Sequence, residues 1–138
     1  MDLSNAKELL RQGGYTCVLC KADQVYTSTR RGVAPLLSYW QEGLDMKGFS
    51  AADKVVGKAA ALLYCLLEVR AVHAWVMSEP ALQVLERHGI AASYEQLVDA
   101  IVNRTGDGFC PMETATRHID DPAQGPGAIL AALEKLRS

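Results

Sequence analysis

Residues 49–67, FSAADKVVGKAAALLYCLL, constrain the fold more than any other stretch, because their apolar side chains would cover nearly the whole circumference of a helix. A helix with that pattern is packed on more than one side. At its start, Ser50 and Asp53 match the S-x-x-D capping box, in which a hydroxyl and a carboxylate satisfy free backbone amides. The pattern therefore predicts that residues 49–67 form the central helix of the domain.

Two lysines interrupt this apolar pattern. On a helix, Lys54 and Lys58 would share one face near the positive end of the helix dipole, where like charges cost about 0.2–0.5 kcal/mol. Gly57 between them leaves room for a backbone or a ligand to approach closely. These features point to an anion- or phosphate-binding pocket at the helix start. Two solvated lysines and a glycine that eases helix packing would produce the same pattern.

The bulk composition is that of one globular domain. The chain has 138 residues, of which 49% are hydrophobic and 22% charged. Its longest apolar run is too short to span a bilayer, and no basic start precedes an apolar signal-peptide region. The net charge of −2 is dispersed, which argues against a general nucleic-acid surface. We expect one cytoplasmic domain over residues 1–138, with neither membrane nor nucleic acid as a general partner.

The four cysteines do not resemble a disulfide framework. Cys17 and Cys20 form a C-x-x-C pattern within a β-rich run, where residues three apart point to opposite faces. A chelating or redox pair normally needs a turn or a helix start. Cys65 lies in the apolar stretch and resembles a small hydrophobic residue. We therefore expect reduced thiols and no zinc held by this pair.

The remaining segments alternate between helical and strand patterns. Helix signals cover residues 3–12, 32–43, 78–89 and 128–136, and strand signals cover residues 15–20, 24–28 and 70–77. Residues 92–102 fit either a strand or a helix. Cys110 followed by Pro111 is typical of an N-cap and a first helical position. Strands interleaved with helices predict an α/β fold, a three-layer α/β/α sandwich with a mixed sheet.

Three short elements together resemble a known group of proteins. They are DKVVGKAAA at residues 53–61, Asn103-Arg104, and CPME at residues 110–113. The chain resembles an uncharacterised bacterial and archaeal branch of the cytidine-deaminase-like superfamily, and the resemblance covers most of its length. In that superfamily, H-A-E or C-A-E at one helix start and P-C-x-x-C at another bind zinc together. The resemblance implies the cytidine-deaminase-like form of the α/β/α sandwich.

The zinc-binding residues of that superfamily are largely absent here. The resemblance puts Lys58, Cys110 and Glu113 at the three ligand positions, and Ala60 at the position of the proton-shuttling glutamate. Zinc deamination needs three ligands, an open position for water and a carboxylate that moves protons. A lysine ammonium repels a metal ion. We therefore expect a deaminase-like fold without zinc or any other metal cofactor.

The resemblance also implies a shared pocket, since two helix N-termini meet at one edge of the sheet in that fold. The residues that would converge there are Lys54, Gly57, Lys58, Asn103, Arg104, Cys110 and Glu113. The leading hypothesis is that these helix starts bind an anionic small molecule, such as a nucleotide.

Two other functions stay open. The first is an enzyme that uses Cys110 as a covalent nucleophile, with Lys58 or Glu113 as its partner and with thiolate character favoured by the helix start. The second is a non-catalytic regulatory or interaction protein, which would form a homo-oligomer through an apolar helix face. The sequence does not decide whether any catalytic turnover occurs.

Overall fold

A mixed sheet of five strands organises the chain. In the computed structural model, which describes residues 1–101 and 110–137, the strands are β1 (Cys17–Lys21), β2 (Gln24–Ser28), β3 (Ser50–Val56), β4 (Ala71–Ser78) and β5 (Ala91–Val98). Their order in the sheet is β2-β1-β3-β4-β5. β1 is antiparallel to both of its neighbours, whereas β3, β4 and β5 run parallel. Parallel neighbours need helical crossovers, which here follow β3 and β4.

In the part of the chain that the structure describes, six helices surround the sheet. They are α1 (Asp2–Gly13), α2 (Ala34–Gln41), α3 (Lys58–Leu67), α4 (Glu79–Arg87), α5 (Pro111–Thr116) and α6 (Gly125–Arg137), with a 3₁₀ turn at Pro122–Gln124. Within residues 1–101 and 110–137, none is both long and apolar enough to cross a membrane.

The helices lie on both faces of the sheet. α1 covers one face, where Ala6 and Leu10 pack with Val18, Cys20 and Ala52. The other face carries the main hydrophobic core, to which helices α2 to α6 all contribute buried side chains. This arrangement confirms the predicted α/β class and its three layers.

The predicted central helix over residues 49–67 is wrong in its first half. Ser50–Val56 is strand β3, which pairs with β1 on one side and with β4 on the other. The strand is covered on both faces, so that Ala51 and Ala52 are both fully buried. A strand of this kind lacks the alternation of a half-exposed strand, and its apolar run resembles that of a buried helix.

The capping box proposed at Ser50 and Asp53 is wrong for the same reason. Both residues are buried within β3, and the N-cap of α3 is Gly57. Lys54 therefore belongs to the strand, whereas Lys58 is the first residue of the helix. The two lysines do not share a helical face.

Most of the other predicted elements are confirmed. The strand signals over residues 15–20 and 24–28 correspond to β1 and β2, which pair with each other. The helix signal over residues 32–43 corresponds to α2, and Cys110 is the N-cap of α5. Of the ambiguous residues 92–102, residues 92–98 belong to strand β5, and residue 102 lies outside the described residues. The last helix begins at Gly125 rather than at residue 128.

Cys17 and Cys20 point to opposite faces of the sheet, as predicted. Cys17 packs in the main core beside α3, whereas Cys20 packs in the smaller cluster beneath α1. Both thiols are free and buried.

Candidate functional site

The start of α3 is capped by a side chain from a distant part of the chain. Gly57, the N-cap, has no side chain to accept a hydrogen bond, and the first turn contains no acidic residue. Glu113, in the first turn of α5, supplies the acceptor. Its Oε1 accepts from the amide of Lys58 at 2.7 Å, and its Oε2 accepts from the amide of Ala59 at 3.1 Å. The carboxylate satisfies two free amides at the positive end of the helix dipole.

Gly57 provides the space that this contact needs. Its φ of −98° is open to any residue, so the requirement is not conformational. A Cβ atom at this position would lie 2.7 Å from Oε2 of Glu113 and closer still to Oε1. The close approach predicted at Gly57 is therefore made by a carboxylate of the chain itself.

A cavity of about 360 Å³ lies between the end of β3, the start of α3 and the start of α5; we call it the α3–α5 cavity. Small-molecule sites span about 300–1,000 Å³, so this volume suits a small metabolite. Among the described residues, its polar lining consists of Thr16, Arg31, Asp53, Lys54, Cys110 and Glu113. The other described residues that line it are Gly32, Val33, Val55, Gly57, Ala59, Ala60, Ile101 and Met112.

Asp53 is a buried carboxyl in the wall of this cavity, with only 6% of the residue exposed. Tyr64 donates its hydroxyl to Oδ2 at 2.7 Å, and the Val55 amide lies 3.4 Å from Oδ1. Burial raises the pKa of Asp53 from its ordinary value of 3.8 to about 7, and these hydrogen bonds offset only part of that rise. A carboxyl that titrates near neutrality in a cavity wall is a candidate acid–base group.

Tyr64 and Cys17 form a buried polar network with Asp53. The Tyr64 hydroxyl lies 3.4 Å from the Cys17 sulfur. Burial, with a further contribution from the charge of Asp53, raises the pKa of the Cys17 thiol and of the Tyr64 hydroxyl well above their ordinary values. Both groups are therefore neutral near pH 7, and Tyr64 serves as a hydrogen-bond donor to Asp53.

Lys58 lies on the other side of the Glu113 contact. Its ammonium group donates to the backbone carbonyl of Arg117 at 2.9 Å and lies 3.6 Å from Asp120. It lines a second cavity of about 410 Å³, which Glu113 also lines. The structure thus places Lys58 and Cys110 beside two different cavities, with Glu113 common to both.

Lys54 borders the α3–α5 cavity, but its ammonium group lies 5.3 Å from the centre of the Trp75 ring, which is in cation–π range. Trp75 packs against the cluster beneath α1. The charge of Lys54 is therefore held by an aromatic face of the protein.

Four of the predicted site residues thus surround one cavity: Lys54, Gly57, Cys110 and Glu113. Asn103 and Arg104 lie outside the described residues. The sequence prediction does not include Asp53 among the site residues, because its spacing from Ser50 fits a capping box. The sequence does contain a signal for Asp53: it is an aspartate within an apolar run that also fits a buried strand. A buried carboxyl needs hydrogen-bond partners or has a shifted pKa, and both are typical of functional sites.

The part of the chain that the structure describes contains no group of three or more His, Cys, Asp or Glu side chains that could hold a metal ion together.

Comparison with known proteins gives one family and a close structural match. The family model of TM1506, described as a domain of unknown function (DUF1893), matches residues 5–130. The crystal structure of a DUF1893 family protein, TM1506 from Thermotoga maritima, is similar with a TM-score of 0.84 and 25% sequence identity, over 97% of this chain and 89% of that one. Among proteins with curated descriptions, none matches the chain.

Proposed function

The chain belongs to the DUF1893 family, whose description states no function, and we propose that it binds a small organic anion in the α3–α5 cavity. A nucleotide-like molecule is one candidate within that class. The main support for this proposal is the composition of the cavity wall, which combines apolar side chains with the buried carboxyl of Asp53 and the exposed cation of Arg31. Small-molecule sites typically combine apolar walls with a few polar groups that fix orientation.

The position of the ligand's anionic group follows from which cations and amides are already engaged. The first amides of α3 are bonded to Glu113, and the ammonium of Lys58 is bonded to the carbonyl of Arg117. We therefore place the anionic group beside Arg31, because a guanidinium can bind a carboxylate or a phosphate through two parallel hydrogen bonds. Lys54 also lines the cavity, but its ammonium group lies over the Trp75 ring.

We further propose that the fold is related to the cytidine-deaminase-like superfamily and that the site works without zinc. Zinc ligands are thiolates, imidazoles and carboxylates. At the three corresponding positions, Lys58 brings an ammonium group, and both oxygens of Glu113 already accept amide hydrogen bonds. Only Cys110 remains as a zinc donor, and Ala60 offers no carboxylate to move protons. This donor set does not fit zinc.

Isothermal titration calorimetry tests the proposed function with a panel of nucleotides and small aromatic carboxylates. We expect at least one member to bind, and Arg31→Gln to weaken its binding about tenfold or more, since a bond to a charged group contributes roughly 1.5–3 kcal/mol. Arg70→Gln is the matched control, because Arg70 is exposed and precedes β4, at the opposite end of the parallel strands.

Two results would contradict the proposal. One is the absence of binding across the whole panel at millimolar concentration. The other is an equal loss of affinity in Arg31→Gln and Arg70→Gln, which would show that the anion is attracted by overall charge rather than held in the cavity.

A covalent enzyme is the second candidate, because the same cavity is lined by Cys110 and by Asp53. A cysteine nucleophile needs a nearby base that can take its proton, and a carboxyl with a pKa near 7 meets that need. The rate of Cys110 alkylation against pH tests this candidate. We expect the profile to change in Asp53→Asn, whereas an ordinary thiol profile with a midpoint at about 8.5 in both proteins would exclude it.

A further inference from the structure

Asp53 lines the α3–α5 cavity, and its two carboxyl oxygens are bonded to the protein with different strength. Oδ2 accepts the hydroxyl proton of Tyr64 at 2.7 Å, a full hydrogen bond. Oδ1 is 3.4 Å from the amide of Val55, which is long for such a bond. The Lys54 amide and the Cys17 thiol also bond to this carboxyl. A ligand hydroxyl that reaches Oδ1 would therefore replace the long contact with Val55, because a hydrogen bond of ordinary length is stronger than one of 3.4 Å.

The surroundings of Asp53 limit what else could meet this oxygen. From β1 and α3 it faces the Cys17 thiol and the Tyr64 hydroxyl, and around the cavity lie Arg31, Cys110 and Glu113. The carboxylate of Glu113 is bonded to the start of α3. A ligand that lies beside Arg31 would therefore find its acid–base partner in Asp53.

We propose that Asp53 is the acid–base group of the cavity, and that the cavity takes small acids that carry a second, hydrogen-bond-donating group, such as hydroxy acids. This inference rests on the proposed function, which places the ligand's anionic group beside Arg31. When such a ligand binds near neutral pH, the O–H bond of the protonated Asp53 breaks. Its electron pair stays on the carboxylate, the proton passes to the buffer, and the ligand's hydroxyl donates to Oδ1.

This proton release makes binding depend on pH in a defined direction. A donating ligand favours the ionised form of Asp53, because a hydrogen bond to a carboxylate stabilises the charge. With a pKa of about 7, the ionised fraction of Asp53 rises between pH 6 and pH 8 from about a tenth to about nine tenths. Binding of a donating ligand should therefore strengthen about tenfold over that interval.

Two probes of matched size test the inference, 3-hydroxybenzoate and 3-methylbenzoate. Both are carboxylates throughout pH 6–8, and only the first can donate a hydrogen bond from its ring substituent. Calorimetry on the whole chain should show that 3-hydroxybenzoate binds more tightly at pH 8 than at pH 6 by about tenfold. The binding of 3-methylbenzoate should weaken over the same interval, because its carboxylate is repelled by the ionised Asp53 and it has no donor to offset that repulsion.

Asp53→Asn should remove the pH dependence and bring the affinity for 3-hydroxybenzoate down to that for 3-methylbenzoate. Tyr64→Phe provides a second variant that keeps the carboxyl. Since the hydrogen bond from Tyr64 lowers the pKa of Asp53, its loss should move the midpoint of the binding profile to higher pH. This shift is a readout that a purely structural role of Asp53 would not produce.

The outcomes separate this inference from the proposed function. If both probes bind equally at both pH values, or if Asp53→Asn and Tyr64→Phe leave the profile unchanged, the role of Asp53 is wrong while anion binding stands. If neither probe nor any nucleotide binds at millimolar concentration, the proposed function and the inference both fail.

Discussion

Helices α3 and α4 both follow a strand of the parallel part of the sheet, yet their first turns are capped in different ways. α4 is capped locally: Ser78 accepts from the amide of Ala81 at 3.2 Å, and Glu79 places an acid in the first turn. α3 has a glycine at its N-cap and no acid in its first turn. Its cap is the carboxylate of Glu113, 55 residues further along the chain.

The difference shows what a missing local cap can signify. A helix with a local cap needs no hydrogen-bond acceptor from elsewhere in the chain, whereas the cap of α3 joins two distant segments. It also places Glu113 between two cavities, since the residue lines both. A helix start without a cap of its own is thus a place to look for a distant partner and for a cavity around it.

The largest effect that we expect on the α3 side comes from Asp53, and it depends on pH. Its folded pKa of about 7 lies above the ordinary value of 3.8, so the folded state binds the proton more tightly than the unfolded state. The stabilisation is therefore complete below pH 3.8 and is lost as the pH rises to 7. Between pH 5 and pH 8, this group should lower the free energy of unfolding by about 3 kcal/mol.

Urea unfolding of the wild type and of Asp53→Asn at several pH values measures this effect. The difference between the two curves should fall from pH 5 to pH 8, and a flat difference would contradict the assignment. The wild type alone is not enough, because His73 also titrates. Burial lowers the pKa of His73, so its contribution to the free energy of unfolding rises with pH and opposes that of Asp53. Subtraction of the Asp53→Asn curve removes the His73 contribution.

Removal of the distant cap should have the next largest effect. Glu113→Ala leaves the amides of Lys58 and Ala59 without their charged acceptor, which should cost about 2 kcal/mol in the free energy of unfolding. Glu113→Gln keeps one acceptor oxygen and should cost less. Glu86→Ala, at an exposed position of α4, is the control and should change stability by less than about 0.5 kcal/mol. Equal costs for Glu113→Ala and Glu86→Ala would contradict the cap.

Removal of the local cap should have a smaller effect. Ser78→Ala leaves the Ala81 amide without its neutral acceptor, at a cost of about 1 kcal/mol by denaturant unfolding. Because Ser78 and Glu113 share no hydrogen-bond partner, the costs of the two substitutions should add in the double variant. A clear departure from additivity would mean that the two helix starts are coupled.

The same contrast explains how far the fold could be predicted from the sequence. Ser78 and Pro80 define the start of α4 within three residues, and Gly14, with its positive φ of 70°, ends α1. Such signals depend on residues within one turn, so they can be recognised without knowledge of the tertiary contacts. The boundary between β3 and α3 could not be placed in this way, because burial on both faces removes the alternation that identifies a strand.

The candidate site was predictable in part for a related reason. Gly57, Cys110 and Glu113 were identified from motifs, and they do line one cavity. The role of Glu113 as the cap of α3 was not visible, because it depends on a contact between residues far apart in the chain. The incorrect extension of the central helix also concealed the role of Asp53. An acid in the first turn of a helix is normally exposed, whereas Asp53 is buried within a strand.

A double-mutant cycle between Gly57 and Glu113 tests most directly whether Glu113 of α5 caps the start of α3. Gly57→Ala brings a Cβ into the space of the Glu113 carboxylate, without backbone strain, and should cost about 1.5 kcal/mol in the wild type. In the Glu113→Ala background the same substitution should cost no more than about 0.5 kcal/mol, which gives a coupling energy of about 1 kcal/mol. Equal costs of Gly57→Ala in the two backgrounds would contradict the account.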